Sequence, residues 1–218
     1  MIRTFSVTGV MPCWGRPQRT RRMIECILAQ TRTDYEVYVV GDGCPHFQYM
    51  IDSGEAKAFQ ERALEKGGVL HIWNEKEHIG GYGQHILDMA IDRAQGRFFL
   101  FLANDDIIDA DHFEHYLSDI EHSPFDMVCY KTRILEKWTR YPQLKACEIG
   151  HSEIVIRTEF LKRMPKVAPS GTHDWSLIQE IINHHGKIKM SLSERTTYHV
   201  RQLGGQAEQP QSVDLDID

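Results

Sequence analysis

No apolar run in the 218 residues approaches the ~18 that a membrane-crossing helix needs, and the first residues show no signal-peptide pattern. The five cysteines, Cys13, Cys26, Cys44, Cys129 and Cys147, include no close-spaced pair and leave an odd count. That argues against a zinc site or a disulfide frame and suits reduced thiols, so a cytoplasmic setting is expected. Positive charge is short too: 25 Lys and Arg face 31 Asp and Glu, a net charge of −6. Gripping nucleic acid wants a basic face, so no nucleic-acid partner is expected. Arg19, Arg21 and Arg22 are a local exception and read as the solvated face of a helix. Absence of Gly-x-x-x-x-Gly-Lys-Ser/Thr argues against a P-loop nucleotidase. No internal repeat or low-complexity block occurs.

What is present is an alternation of two periodicities. Residues 5–10 read as a strand, 11–17 as a loop punctuated by Pro and Gly, and 18–30 as a helix with Met23, Ile24, Ile27 and Leu28 on one face. A second strand over 35–40 ends in the turn chemistry of Gly41-Asp42-Gly43-Cys44-Pro45. Residues 55–66 form a helix closed by Gly67-Gly68, followed by a strand over 69–73. Gly80-Gly81-Tyr82-Gly83 then opens a helix whose apolar face is Ile86, Leu87, Ala90, Ile91 and Ala94. Its spacing is a weak match to phosphate-binding glycine motifs, and a flexible loop entering a helix is the plainer reading.

The strand Arg97-Phe98-Phe99-Leu100-Phe101-Leu102 is apolar after its first residue and runs into Ala103-Asn104-Asp105-Asp106. It reads as buried on both faces. Beyond it we expect a helix over 111–122, strands at 127–130 and 154–156, and an irregular aromatic and basic stretch over 134–144. Thr158 is a candidate cap for a short helix, and a further helix runs to residue 185. Strands over 187–192 and 196–200 are expected to close the sheet. The pattern predicts an α/β fold with a mainly parallel sheet flanked by helices, a single domain over residues 1–203, and a polar flexible tail or linker over 204–218.

In an open parallel sheet the loops after successive strands converge on one edge, where ligands bind. Here those loops carry Trp14, Arg16, Asp42 and the pair Asp105 and Asp106. An aromatic ring, a cation, a lone carboxylate and a carboxylate pair suit a nucleoside diphosphate held through a divalent metal. The plainer alternative for the acids is an Asx turn or a helix cap.

These segments resemble the family-2 glycosyltransferases of the GT-A fold. Met11-Pro12-Cys13-Trp14 resembles that family's first strand ending in Pro-x-Tyr/Phe. Glu36-Val-Tyr-Val-Val-Gly-Asp-Gly-Cys44 resembles its strand plus Asp-Asp-Gly-Ser, with Gly41 in place of the first acid. Residues 94–106 resemble its Ala-x-Gly strand into Asp-x-Asp-Asp, with Ala103 in place of the first acid. Ser152-Glu-Ile-Val-Ile-Arg157 and His173-Asp174-Trp175-Ser-Leu177 resemble its acceptor-side strand and its Glu-Asp-Trp-x-Leu segment.

The resemblance implies a metal-dependent transferase that moves a sugar from a nucleoside diphosphate sugar, UDP before guanine or thymine forms, to a hydroxyl acceptor such as a glycan. It implies a place in polysaccharide biosynthesis. Pro12, Trp14, Arg16 and Asp42 would face the nucleoside, and Asp105 the ribose and the metal. Asp106 would ligate Mn²⁺ or Mg²⁺, with His199 as a further metal or phosphate contact. Asp174 would be the base that deprotonates the acceptor, by the simpler inverting route, with a retaining one left open. The competing readings are a nucleotidyltransferase and a catalytically silent binding module of a larger synthase.

Overall fold

The computed structural model describes residues 4–135, 137–144, 149–166 and 173–201, with only the backbone for Tyr82, His173 and Asp174. In chain order the first half holds β1 (Val7–Cys13), α1 (Pro17–Leu28), β2 (Tyr35–Gly41), α2 (Pro45–Asp52), α3 (Glu55–Lys66), β3 (Val69–Asn74), α4 (Gln84–Arg93) and β4 (Phe98–Phe101). The second half holds β5 (Ile107–Ile108), α5 (His112–Ser118), β6 (Met127–Cys129), β7 (Thr132–Ile134), β8 (Trp138–Arg140), β9 (Ile154–Arg157), α6 (Thr158–Arg163), α7 (His173–Asn183), β10 (Ile188–Met190) and β11 (Tyr198–Val200).

The seven-stranded main sheet runs β10-β6-β9-β4-β1-β2-β3. The run β4-β1-β2-β3 is parallel, with Val7 level with both Tyr35 and Phe98. Alternate residues of these strands feed two separate cores. Val7, Met11, Val37, Val39, Phe98 and Leu100 pack with α1, α2 and α3, while Val10, Tyr38, Val40, Phe99 and Phe101 pack with α4, α6 and α7. Both faces are covered, so the strands are apolar throughout rather than alternating. The expected α/β architecture with a mainly parallel sheet is thus observed. The exception is β9, antiparallel to both β4 and β6.

Three expectations need correction. The first loop begins later than Met11, because β1 continues through Cys13 alongside β2. Pro12 sits in that extension at no cost. Val10 accepts the Leu102 N–H at 2.9 Å, pairing with β4 then ends, and Pro12, two residues on, faces the same open side. The stretch over 134–144 is not irregular throughout: β8 lies antiparallel to β7. The strand near residue 198 does not close the main sheet. It pairs with β5 and β7 in a second sheet of order β5-β11-β7-β8. The expected boundary at residue 203 lies outside the described residues.

At the sheet edge away from the site, Glu36 is fully buried and accepts hydrogen bonds from Thr8 Oγ1 at 2.6 Å and the Gln95 N–H at 2.5 Å. Burial alone would raise its carboxyl, but His71, Thr8 and the Gln95 N–H together hold it low. A Cβ on Gly96 would stand 2.4 Å from the Thr8 nitrogen, so only glycine lets the turn before β4 approach β1 this closely. That corner fixes where β4 enters the sheet, with Phe98 level with Val7. Among the described residues no helix is long and apolar enough to cross a membrane.

Candidate active site

The loops after β1, β2 and β4 meet at one edge of the sheet. Gly15 and Arg16 both take left-handed backbone, at φ 61° and 50°, just before α1 starts at Pro17. This turn carries the Arg16 guanidinium across to the Asp105 carboxylate, which accepts its N–H. Asn104 is buried and donates to Thr20 Oγ1 at 3.0 Å, tying the same loop to α1.

Asp106 turns inward. Its Oδ1 accepts the Arg201 N–H at 2.9 Å from the residue after β11. Burial first, then the neighbouring Asp105, push its carboxyl up to about 7 against the opposing pull of the Arg201 N–H, Tyr198 and Arg140. The buried Tyr198 hydroxyl also accepts the Ala103 N–H at 3.0 Å, so the second sheet holds this loop from behind. Arg140 Nε bonds the fully buried Glu153 at 2.6 Å, and Glu153 also accepts Thr132 Oγ1 at 2.7 Å.

Asp42 is 4% exposed, and both of its oxygens are engaged: Ile79 N–H reaches Oδ1 and Gly80 N–H reaches Oδ2, each at 3.0 Å. His78 Nδ1 lies 2.9 Å from Oδ2, and His85 Nε2 lies 3.4 Å from Oδ1. Asp42 therefore anchors the loop before α4, and the Gly80 N–H is spent on Asp42 rather than pointed at a phosphate. Gly43 permits this closeness: at φ 63°, a Cβ there would meet the His78 nitrogen at 2.3 Å. Trp14 is 49% exposed and stacks on His78, with ring centroids 3.8 Å apart and planes at 28°. Trp14 is therefore not part of the core.

The other two residues singled out lie on later elements, His199 on β11 and Asp174 on α7. His199 directs Nε2 to Asp109 Oδ1 at 2.9 Å. Asp174 lies in the first turn of α7, so it does not cap that helix, and its side chain lies outside the described residues. Leu177, Ile178 and Ile181 bury α7 in the second core. Beside it a cleft of ≈ 60 Å³ opens between Leu87, Phe101, His151, Leu161 and Leu177.

Among the described residues no group of three His, Cys, Asp or Glu side chains converges as a full cation cage would require. The donor set still fits a cation that takes its remaining ligands from phosphates and water, as Mg²⁺ commonly does. Asp105 and Asp106 are hard oxygen donors on adjacent residues, and burial, with the Asp105 charge behind it, raises the Asp106 carboxyl. Sequence reasoning missed His78, His85, Tyr198 and Arg201. His78 stood in a loop noticed only for its glycines, and Arg201 acts through its backbone, which leaves no signal in sequence.

The sequence matches Glycosyl transferase family 2 over residues 8–179. An uncharacterized glycosyltransferase of Rickettsia bellii (strain RML369-C) is 30% identical over 112 residues, 51% of this chain and 14% of that protein. Among solved structures, S. aureus TarS 1-349 in complex with UDP-GlcNAc superposes with a TM-score of 0.71 at 18% identity, covering 93% of this chain and 60% of that one. The mannosyltransferase PcManGT from Pyrobaculum calidifontis, in complex with GDP-Man and Mn2+, gives 0.64 at 17% identity, covering 86% and 55%. This chain thus spans 60% or less of each of these relatives. The structural likenesses establish the GT-A architecture, and the match over residues 8–179 establishes the family: the chain belongs to Glycosyl transferase family 2.

Proposed function

We propose that this chain transfers a sugar from a nucleoside diphosphate sugar, UDP-linked in the first instance, to a hydroxyl group of a glycan or similar acceptor. One observation carries the reading: Arg16 on the loop after β1 bonds Asp105 on the loop after β4, so the groups suited to a nucleoside and to a diphosphate share one sheet edge. TarS in complex with UDP-GlcNAc and PcManGT in complex with GDP-Man and Mn2+ support it by likeness of fold. Trp14 offers a half-exposed face to a base, and Arg16 a cation to phosphate.

Asp105 and Asp106 would hold Mn²⁺ or Mg²⁺. When bound, the cation offsets charge that collects on the departing diphosphate. Asp174 is the proposed base: a carboxylate in the first turn of α7 can accept the acceptor's hydroxyl proton as that oxygen attacks the anomeric carbon, the step that gives inversion. His199, turned to Asp109, is a weaker candidate for a metal contact. A reducing, cytoplasmic setting belongs to the same reading and is supported by Cys13, Cys26, Cys44 and Cys129, all free thiols.

The test is nucleotide release from UDP-GlcNAc, UDP-glucose and GDP-mannose, with Mn²⁺ or with EDTA, in the presence of simple glycosides. Release that needs metal and disappears in Asp106→Ala supports the proposal. No turnover of any donor by the folded protein rejects it, and inorganic pyrophosphate formed from an NTP and a sugar phosphate would favour a nucleotidyltransferase.

A further inference from the structure

His78 is held from two directions. Its Nδ1 lies 3.0 Å from the main-chain oxygen of Asp42 and 2.9 Å from Asp42 Oδ2. Both neighbours are acceptors, so Nδ1 carries the hydrogen and, in the neutral ring, Nε2 holds the lone pair. The side chain is 46% exposed, and Gly80 lies beside Nε2, where a Cβ would stand 3.6 Å away, so glycine leaves that edge uncovered. The backbone cannot drift, because the His78 nitrogen rests against Gly43 where even a methyl group would collide at 2.3 Å.

The ring lies on Trp14, centroids 3.8 Å apart. An indole is larger than an imidazole, and Trp14 keeps 49% of its surface exposed. A planar group lying in the plane of the imidazole, edge to edge with Nε2, would rest on the uncovered part of the indole. A group that fits has a flat face to stack and an N–H in its edge. Uracil and thymine have such an N–H at N3, and guanine has one at N1. Cytosine at N3 and adenine at N1 have lone pairs, which would meet the lone pair of Nε2.

We propose that His78 is a donor-specificity residue that selects bases with an imide or lactam N–H, uracil foremost, and rejects cytosine and adenine. Asp42 then serves the nucleoside indirectly, by fixing the tautomer of the ring that reads it. The proposal rests on the donor reading given above and narrows it to a class of base.

The test is calorimetric titration of UDP, GDP, CDP and ADP into the full chain at pH 8 with Mg²⁺, for the parent, His78→Asn and His78→Gln. Asn keeps an N–H near the Nδ1 position but has neither ring nor acceptor at the reading edge. Gln reaches the reading edge with an amide that can turn either way. The parent should bind UDP or GDP about tenfold or more above CDP and ADP, the scale of one unpaired polar contact. His78→Asn should weaken UDP by a similar factor and bring the UDP to CDP ratio to within about threefold, and His78→Gln should narrow the same ratio by gaining CDP.

An unchanged ratio in His78→Asn overturns the proposal alone, as does a parent that prefers CDP or ADP. A parent that binds none of the four overturns the donor reading and the proposal with it. A parent that binds CDP or ADP as well as it binds UDP overturns the proposal even if both variants fail to fold.

Discussion

Arg16 and Asp105 are bonded to each other across the edge of the sheet, although 89 positions separate them in the chain. The pair is partly exposed, so its own worth is small, but it occupies a carboxylate that a cation would use. Arg16→Ala should therefore tighten Mn²⁺ binding in the absence of nucleotide by about two- to fivefold, the scale of one exposed ion pair. Electron paramagnetic resonance of free Mn²⁺ during titration reads this directly. Equal or weaker binding in the variant would show that Asp105 takes no part in holding the ion.

Asp106 makes a prediction about pH. Its carboxyl stands at about 7 in the fold, raised first by burial, whereas an unfolded carboxylate titrates near ~4. Between those values the fold holds a proton that the unfolded chain releases. The contribution of this group is therefore complete below about pH 4 and is lost as pH rises through about 7. In EDTA, Asp106→Asn should melt above the parent at pH 8 by roughly 5 °C or more, a gap that shrinks toward pH 4. A constant gap across that range would mean that Asp106 does not titrate in this way.

Gly43→Ala should damage the site and the fold together. The new methyl would meet the His78 nitrogen at 2.3 Å and the Glu77 carbonyl carbon at 2.4 Å, at a φ of 63° that L side chains rarely adopt. A loss of roughly 2–4 kcal/mol in urea unfolding is expected, together with weakened donor binding. Stability within 0.5 kcal/mol of the parent, as at an ordinary surface site, would mean that the loop before α4 is not packed as described.

Glu153 is fully buried against Arg140. Burial raises its carboxyl, and Arg140 pulls it back down. Removing one partner of such a pair costs about 3–5 kcal/mol, so Glu153→Ala should be strongly destabilised and Glu153→Gln clearly less so. Urea midpoints rank the two, and equal losses would show that charge is not what Arg140 needs from this position.

Much of the architecture was legible because burial on both faces leaves continuous apolar strands and glycines mark their ends. The helix over 55–66 was read to its last residue, since Gly67, at φ 101°, ends it as glycine commonly does. By contrast α2 was missed: Pro45 looked like turn punctuation but is the first helical residue, a place proline favours. Strands β5 and β8 are two and three residues long, too short for any periodicity to show. Thr158 was read as a cap but is the first residue of α6, and no side-chain cap bond forms there.

At the site, residue types pointed to Trp14, Arg16, Asp42, Asp105 and Asp106, and the fold gathers them at one edge. What no pattern could give was the partner of each. Asp42 meets His78 from 36 positions away, and Asp106 meets the Arg201 backbone from 95. Such contacts are set by tertiary packing, and a main-chain N–H can belong to any residue type.

The bond from Arg201 to Asp106 bears on how this chain can be cut and joined. A boundary drawn at the end of α7, or at residue 179 where the family match stops, would discard β11, with its Tyr198 hydroxyl, and that last N–H. Two supports of the loop that carries Asp105 and Asp106 would go with them. Shortened versions for crystallisation, and fusions to other enzymes, should keep every residue through Arg201 and place tags or linkers beyond it.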